Sequence, residues 1–235
     1  MVLALLAAPA SAVSVSGSGQ CGEDLTWTLS SDGTLTISGS GEMYDYSDAS
    51  PWMESDPAVT SVIIRPGCTS IGIAAFAGCV ELEQVSIPAT VTEIGGTAFL
   101  YCMSLRSVEI PGGVTEIADL TFNNCSSLTS VSIPNSVTRI GENAFADCDA
   151  LPSVTIPGSV AEMGENAFSD CGALAEVRFS EGVGSIGEWA FVDCSSLTDV
   201  QFPASLREIG GYAFLNCSSL SDVQFPDGLT RIGEW

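Results

Sequence analysis

The chain has 235 residues, 46% of them hydrophobic, which is enough to bury a core in one large domain or two smaller ones. Its 29 acidic residues face six arginines, with no lysine and no histidine, and the net charge is −23. This charge argues against binding to nucleic acid or to anionic membranes, because phosphate neutralisation requires clustered Lys and Arg.

Residues 1–12 form a short apolar run that ends in Ala10-Ser11-Ala12, a small-residue pattern typical of a signal-peptide cleavage site. The run is too short to span a bilayer, and no basic region precedes it. We interpret it as the remnant of a secretory signal; the alternative is an ordinary apolar N-terminus. The mature chain is then expected to begin near Val13 and to be secreted or held at the cell surface, without a transmembrane segment.

Residues 13–58 are expected to form a β-hairpin followed by a loop. Residues 25–29 and 34–38 alternate apolar and polar side chains, and Ser30-Ser-Asp-Gly33 between them is a turn signal. Residues 39–57 are rich in Ser, Asp, Gly and Tyr and are predicted as loop. The apolar face of the hairpin would cover the first repeat that follows it. This face consists of Leu25, Trp27, Leu29, Leu35 and Ile37.

From residue 59 onward a 23-residue unit repeats without insertion or deletion. A partial unit (59–70) precedes seven full units (71–231) and a truncated unit (232–235). Such a period predicts a solenoid in which each unit buries its apolar face against its neighbours. We call each full unit a rung, so that rung 1 is 71–93 and rung 4 is 140–162. The rungs begin at Ile71, Ile94, Ile117, Ile140, Met163, Ile186 and Ile209.

Within a rung, Val-x-Ile spacing, as at Val131 and Ile133, predicts a strand with both apolar side chains inward. Proline follows in six of seven rungs and ends the strand, because it cannot donate to a continued ladder. Val-x-x-Ile, as at Val137 and Ile140, predicts a second short extended piece. The motif Gly-x-x-Ala-Phe-x-x-Cys then predicts one short helical turn.

The phrase Leu-x-x-Val-x-Ile-Pro-x-x-Val-x-x-Ile-Gly-x-x-Ala-Phe-x-x-Cys resembles the BspA-type leucine-rich repeat family over residues 59–235. Cys21-Gly-Glu-Asp-Leu-Thr-Trp-Thr-Leu29 also looks like the segment that precedes such repeats in secreted bacterial members. The resemblance implies a leucine-rich-repeat parallel β-solenoid on a cell surface, used for adhesion or protein binding and without catalytic residues. The departures are small: Met163 replaces Ile, Thr121 replaces Ala, and Cys68 stands where later units have Val or Leu.

Seven of the nine cysteines form one column, and the other two are Cys21 and Cys68. Neighbouring rungs lie about 4.8 Å apart, but side chains of one column point the same way, which disfavours disulfides. We therefore expect free, buried thiols, and we expect no zinc because the spacing is wrong and histidine is absent. A bridge between Cys21 and Cys68 stays open. The column consists of Cys79, Cys102, Cys125, Cys148, Cys171, Cys194 and Cys217.

Two acidic columns suggest either cation binding through stacked carboxylates or, more simply, solvated faces whose Asp and Asn side chains bond loop backbone. The absence of His and Lys leaves few general bases, so no enzymatic activity, metal or cofactor is expected. The first column is Asp119, Glu142, Glu165 and Glu188; the second is Asn124, Asp147, Asp170, Asp193 and Asn216.

The outward positions beside each inward Val form a face that we call the strand face, and we predict it as the partner-binding surface. The side chains at its middle are small and carry hydroxyl groups, and those at its C-terminal end are charged. The alternative is a face that only keeps the protein soluble and binds no partner. Its residues are Gln84, Ser86, Ser107, Glu109, Ser130, Ser132, Ser153, Thr155, Glu176, Arg178, Asp199, Gln201, Asp222 and Gln224.

A second contact is predicted at an aromatic stripe of Trp189, Tyr212 and Trp235, in a column that is small, aliphatic or polar in earlier rungs. Exposed rings in a row suit a sugar chain, another protein or a second copy of the chain. The alternative is that the rings pack flat over neighbouring rungs.

The sequence therefore predicts a binding or adhesion module that recognises an extracellular or cell-surface protein, or a glycan. Self-association through the open C-terminal end is a further expectation. The alternatives are a structural spacer and the targeting module of a larger surface protein or enzyme.

Overall fold

The computed structural model describes residues 13–53 and 56–235, so the predicted signal remnant lies outside the described residues. The described chain is a parallel β-solenoid of short strands and turns, which confirms the predicted fold class. No helix long and apolar enough to cross a bilayer is found within the described ranges. The strands are β1 (Val15–Gln20), β2 (Gly22–Ser30), β3 (Thr34–Met43), β4 (Ser61–Ile64), β5 (Cys68–Ile71), β6 (Gln84–Ser86), β7 (Glu93–Ile94), β8 (Ser107–Glu109), β9 (Glu116–Ile117), β10 (Ser130–Ser132), β11 (Arg139–Ile140), β12 (Ser153–Ile156), β13 (Glu162–Met163), β14 (Glu176–Phe179), β15 (Ser185–Ile186), β16 (Asp199–Gln201), β17 (Glu208–Ile209) and β18 (Arg231–Ile232).

Strands of successive rungs pair in parallel with residues 23 positions apart opposite each other, as Val154 with Val177 and Val177 with Val200. The Val-x-Ile strands form a first ladder in two parts, β4-β6-β8-β10 and β12-β14-β16. The short second strands form a second ladder in three parts, β5-β7, β9-β11-β13 and β15-β17-β18. Both strand ladders are therefore interrupted, although the repeat itself is continuous.

A third ladder runs through the turns that carry the Phe column, and we call it the turn ladder. In rung 4 the N–H groups of Asn143, Phe145 and Asp147 donate to carbonyls of rung 5 at 2.8–3.0 Å. The same three bonds recur at all six interfaces between rung 1 and rung 7. The turn ladder is thus unbroken where the strand ladders are not.

The predicted helical turn is wrong in detail, because the described residues of this segment form turns and no helix. Asn143 and Asp147, at the two ends of the turn in rung 4, have φ of 52° and 59°. Residues in this left-handed region cannot continue a right-handed helix. Their amides point along the solenoid toward the next rung rather than back along a helix.

The core is a stack of one Phe per rung with flanking aliphatic columns. From Phe76 to Phe214, consecutive ring centroids lie 5.0–5.4 Å apart and the rings are inclined by 5–20°. Trp52 heads the stack, 5.6 Å from Phe76, and its indole N–H donates to the Ala75 carbonyl at 3.0 Å. Residues 39–57, predicted as loop, therefore supply the end of β3 and the first ring of the core.

The predicted hairpin is confirmed as β2 and β3, and its five apolar side chains are buried. β1 adds a third antiparallel strand that the sequence did not reveal. β3 pairs in parallel with β4 up to Ile37 and with β5 from Gly41 onward; Gly39 and Gly41, with φ of 117° and 98°, lie at the change of partner. One bent strand thereby covers the first strand of both ladders, and the positive φ values explain the two glycines.

All nine cysteines of the described residues are unpaired and buried. From Cys102 to Cys217 each thiol donates to the carbonyl of the Phe one rung earlier, at 3.1–3.4 Å. Cys21 and Cys68 lie on opposite sides of β3, beside Tyr44 and Gly41. Two strand spacings amount to about 9.6 Å, whereas a disulfide requires Cα atoms about 4.4–6.8 Å apart, so the register argues against a bridge.

Replacing Phe145 by Ala should destabilise the protein by about 3–5 kcal/mol, because a fully buried ring leaves a cavity that its stacked neighbours cannot fill. Phe225, which is 53% exposed, is the matched control, and Phe225→Ala should cost less than about 1 kcal/mol. Urea denaturation followed by fluorescence measures both. An equal decrease in the free energy of unfolding for the two variants would contradict the stacked core.

The thiol column should make the protein sensitive to alkali. Burial raises the pKa of Cys79 and of Cys125 to about 12 from the ordinary 9.0. Below about pH 9 neither folded nor unfolded thiols ionise; above it only the unfolded thiols do, so stability falls by up to about 1.4 kcal/mol per thiol and pH unit.

The measurement is the urea midpoint between about pH 8 and about pH 10, for the wild type and for the double variant Cys125→Ala, Cys148→Ala. The midpoint should fall with pH, and the fall should be smaller in the variant. An identical pH dependence in both proteins would show that other groups are responsible.

Candidate functional site

The strand face lies where the sequence predicted, on the outward side of the first ladder. Twelve of its residues are on β6, β8, β10, β12, β14 and β16, while Asp222 and Gln224 follow in the same columns without strand pairing. All are exposed except Glu176, which is half-buried. The face is therefore one continuous surface that is open to a partner.

At the C-terminal end of the strand face the polar groups satisfy one another. Arg178 forms an ion pair with Glu176 at 2.6 Å, and the Gln201 amide donates to Asp199 at 3.0 Å and to Glu176 at 3.3 Å. Gln224 likewise donates to Asp222 at 2.9 Å. These groups are already paired, so a partner would have to displace these bonds.

The hydroxyl groups at the centre of the strand face, unlike the groups at its C-terminal end, are not paired with one another. Ser130, Ser132, Ser153 and Thr155 make no side-chain hydrogen bond to any other described residue. They are exposed and uncharged in a chain whose net charge is −23. This central stretch thus presents free donors and acceptors without electrostatic repulsion.

A cleft opens in this same stretch, between β10 and β12, at the rung where Pro152 removes a backbone donor. In five of the other six rungs the residue at this position donates its N–H to the preceding rung, as Thr129 does to Arg106 at 2.9 Å and Thr198 to Ala175 at 3.0 Å; Ser221 of rung 7 is the exception. Proline has no N–H, and no backbone pairing joins β10 to β12 in the described chain. The sequence signal, Pro in a column that elsewhere holds residues with an N–H, was overlooked.

The cleft has a volume of about 360 Å³. Its lining is mostly hydroxyl and backbone, with no charged side chain. The residues around it are Thr129, Ser130, Val131, Ser132, Ile133, Asn135, Ser153, Thr155, Pro157 and Ser180.

The aromatic stripe is assembled, but its rings stack on one another. Trp189 and Tyr212 lie 4.0 Å apart with planes 3° from parallel, and Trp235 follows at 6.4 Å. Trp189 and Tyr212 are half-buried, and Trp235 is 81% exposed. Because the faces of Trp189 and Tyr212 cover each other, these two rings present their edges outward rather than a flat platform for a sugar, whereas Trp235 is open.

The first acidic column is neutralised in part by Arg139. Its guanidinium contacts Glu116, Asp119 at 2.9 Å and Glu162 at 3.3 Å. These carboxylates raise the pKa of Arg139 although its partial burial opposes this. Asp119 also accepts the Glu142 amide at 2.9 Å. One oxygen of Asp119, Oδ1, thus accepts both of these donors.

The second acidic column occupies one end of the turns. Its residues have φ of 56–61°, a conformation that Asn and Asp tolerate better than other side chains. The amides of Asn124 and Asn216 donate to Asp147 and Asp193 at 3.2 and 2.8 Å. Across residues 13–53 and 56–235, no three His, Cys, Asp or Glu side chains are placed to hold a metal ion.

The BspA type Leucine rich repeat region matches residues 53–171 and 115–235, with 6 copies. No curated protein matches the chain.

Two solved structures illustrate the likeness. A leucine-rich repeat protein from Bacteroides ovatus is 30% identical with a TM-score of 0.72; the match covers 90% of this chain and 54% of that one. The T. pallidum Leucine Rich Repeat protein is 28% identical with a TM-score of 0.67, covering 87% of this chain and 92% of that one. The chain thus spans about half of the Bacteroides ovatus protein. Together with the unbroken 23-residue register, these matches mean that the chain belongs to the BspA-type leucine-rich repeat family.

Proposed function

We propose that this chain is a non-enzymatic binding module of a secreted or surface-attached bacterial protein, and that it recognises a partner protein through the strand face. The observation that carries the proposal is the central group of hydroxyls, which are exposed, uncharged and without partners in the fold. Repeat proteins of this family generally mediate protein interactions, and a solenoid offers one long surface for the purpose.

The cleft beside Pro152 supports the same surface. Where the first ladder is interrupted, backbone groups of β10 and β12 are free to bond a ligand instead of each other. Small side chains around the cleft let a partner's main chain approach closely. A segment of partner protein that runs across β10 and β12 would use both the hydroxyls and these backbone groups.

A protein partner is favoured over a glycan by the aromatic stripe. Sugar recognition by aromatic rings uses an open ring face, whereas Trp189 and Tyr212 cover each other at 4.0 Å. Ring edges and half-buried aromatic side chains suit a contact with another protein. The stripe is therefore proposed as an auxiliary protein contact rather than a sugar site.

The double variant Ser132→Arg, Thr155→Arg should abolish binding to surface proteins captured by the wild type, because two long charged side chains block the centre of the strand face. The expected loss is at least about tenfold in affinity, with unchanged thermal stability since both positions are exposed. Binding is measured by surface plasmon resonance on the partner purified from bacterial or host-cell surface extracts.

The matched control is Ser195→Arg with Ser218→Arg, which adds the same charges to exposed positions on the turn side. It should leave affinity unchanged. If the control and the strand-face variant behave alike, recognition depends on net charge or on another face. Absence of any captured partner with the wild type would favour a structural spacer.

A further inference from the structure

The two exposed columns at the Cys end of the turns change character along the solenoid. The first column holds Gly78 in rung 1 and Tyr101 in rung 2, and continues as Asn or Asp in rungs 3–7. The second holds Val80 and Met103 and continues as Ser, Asp, Gly, Ser and Ser. The first two rungs therefore expose apolar side chains where all later rungs expose polar or small ones.

Tyr101 is placed against the preference of the backbone. Its φ is 60°, in the left-handed region where Gly, Asn and Asp are favoured and a bulky aromatic is strained. The same position is Gly78 in rung 1 and Asn124 in rung 3. The side chain of Tyr101 is 46% exposed, so core packing does not explain the ring. A strained and exposed aromatic points to recognition rather than to folding.

Tyr101 is one of four exposed apolar residues in this part of the solenoid, with Met53, Val80 and Met103, and we call this group the apolar corner. Their exposed fractions are 42% for Met53, 47% for Val80, 46% for Tyr101 and 43% for Met103. Met53 covers Gly78, where an added Cβ would lie 2.6 Å from the Met53 methyl carbon.

The rungs that carry this corner are hydrogen-bonded to each other. The Ser104 N–H donates to the Val80 carbonyl at 3.2 Å, and the Gly78 N–H donates to the Leu100 carbonyl at 2.7 Å. Adjacent exposed apolar side chains of this kind mark contact surfaces more often than scattered single ones do.

Acidic side chains continue the same two columns beyond the apolar corner. Asp147 and Asp149 lie two rungs from Tyr101 and Met103, a distance of about 9.6 Å, and Asp170 follows in the next rung. Burial and then the charges of Asp170 and Asp149 raise the pKa of Asp147. Among the described residues no arginine forms an ion pair with any of these three carboxylates. Two rungs beyond the apolar corner the surface is thus negative, and no arginine of the described residues neutralises it.

We infer that the apolar corner and the adjoining carboxylates form a second docking surface, for a partner protein segment that carries an apolar anchor residue followed by Lys or Arg side chains. The anchor packs on Tyr101, Val80 and Met103, and the cations lie against Asp147 and Asp149. Burial of the Tyr101 ring supplies most of the affinity. Pairing of the carboxylates with the partner's cations fixes the orientation of the segment.

Charge complementarity selects this partner over others. A second copy of the chain, with its net charge of −23, would bring carboxylates against carboxylates. Nucleic acid and anionic lipid surfaces are repelled for the same reason. A segment of another protein with one apolar residue followed by basic residues complements both the apolar corner and the carboxylates.

The probe is a short synthetic peptide with one central Phe followed by Lys and Arg, compared with an analogue in which Ser replaces Phe. Since any basic peptide is attracted to so acidic a protein, the difference between the two peptides is the measured quantity. The Phe peptide should bind the wild-type chain at least about tenfold more tightly than the Ser peptide. Added salt should weaken both.

Tyr101→Asn installs the residue that rung 3 already has at this position. It should abolish the preference for the Phe peptide while leaving the thermal midpoint unchanged or higher, because Asn fits the left-handed backbone better. The matched control Leu120→Asn makes a similar change in the other left-handed column, outside the aromatic stripe, where rungs 4 and 5 have Asn143 and Asn166. It should keep the preference.

Three results would overturn the inference: equal binding of the two peptides to the wild type, an undiminished Phe preference in Tyr101→Asn, or an equal loss of that preference in Leu120→Asn. A lowered thermal midpoint in Tyr101→Asn would mean that the ring packs as part of the core. The double variant Val80→Ser, Met103→Ser is then the deciding test. If this variant still prefers the Phe peptide, the apolar corner is not the docking surface. The double variant Ser132→Arg, Thr155→Arg should not change the preference for the Phe peptide. The docking surface at the apolar corner and the strand-face proposal can therefore fail independently of each other.

Discussion

The structure depends on one constraint: three N–H groups in the turn of each rung donate to the carbonyls of the next. These bonds fix the spacing at which Phe rings stack, with centroids 5.0–5.4 Å apart. They also place each cysteine thiol under the carbonyl of the preceding Phe. The left-handed residues at both ends of the turn, such as Asn143 and Asp147, aim the amides along the solenoid. Backbone bonds, rings and thiols therefore form one cooperative spine, and rungs are held mainly from this side.

Because the spine is continuous, the strand ladders can be interrupted without breaking the solenoid. The first ladder stops at Pro152 between β10 and β12, and the second stops between β7 and β9 and between β13 and β15. At each of these rungs the three bonds of the turn ladder are still present. Because the turn ladder holds the rungs together, residues of the strand face can vary in sequence. The missing backbone donor at Pro152 and the cleft beside it are tolerated for the same reason. The strand face lies at exposed columns outside the spine, whereas the apolar corner carries Tyr101 at a left-handed turn end of the spine itself.

Sequence periodicity predicted the elements that repeat and failed for those that occur once. The register, the inward columns and the hairpin face from Leu25 to Ile37 followed from spacing, because burial of the same position in every rung leaves a visible pattern. Trp52 was missed since it caps the Phe stack from an irregular segment, with no repeat to mark it. The turn was misjudged as helical because the spacing of Ala, Phe and Cys fits either geometry, and only φ separates them. The strand face was located, but the break at Pro152 needs the hydrogen bonds of neighbouring rungs to be recognised.

The central claim, that the turn ladder rather than the strand ladders joins the rungs, is tested most directly by hydrogen exchange of individual amides. The account predicts that the amides of Phe99, Phe122, Phe145 and Phe168 exchange slowest in the chain, at rates set by opening of whole rungs. Amides of β10 and β12, beside the cleft, should exchange faster because no strand pairing joins them. If strand amides were as slow as, or slower than, those of the Phe column, the rungs would be held by the sheets and the account would be contradicted.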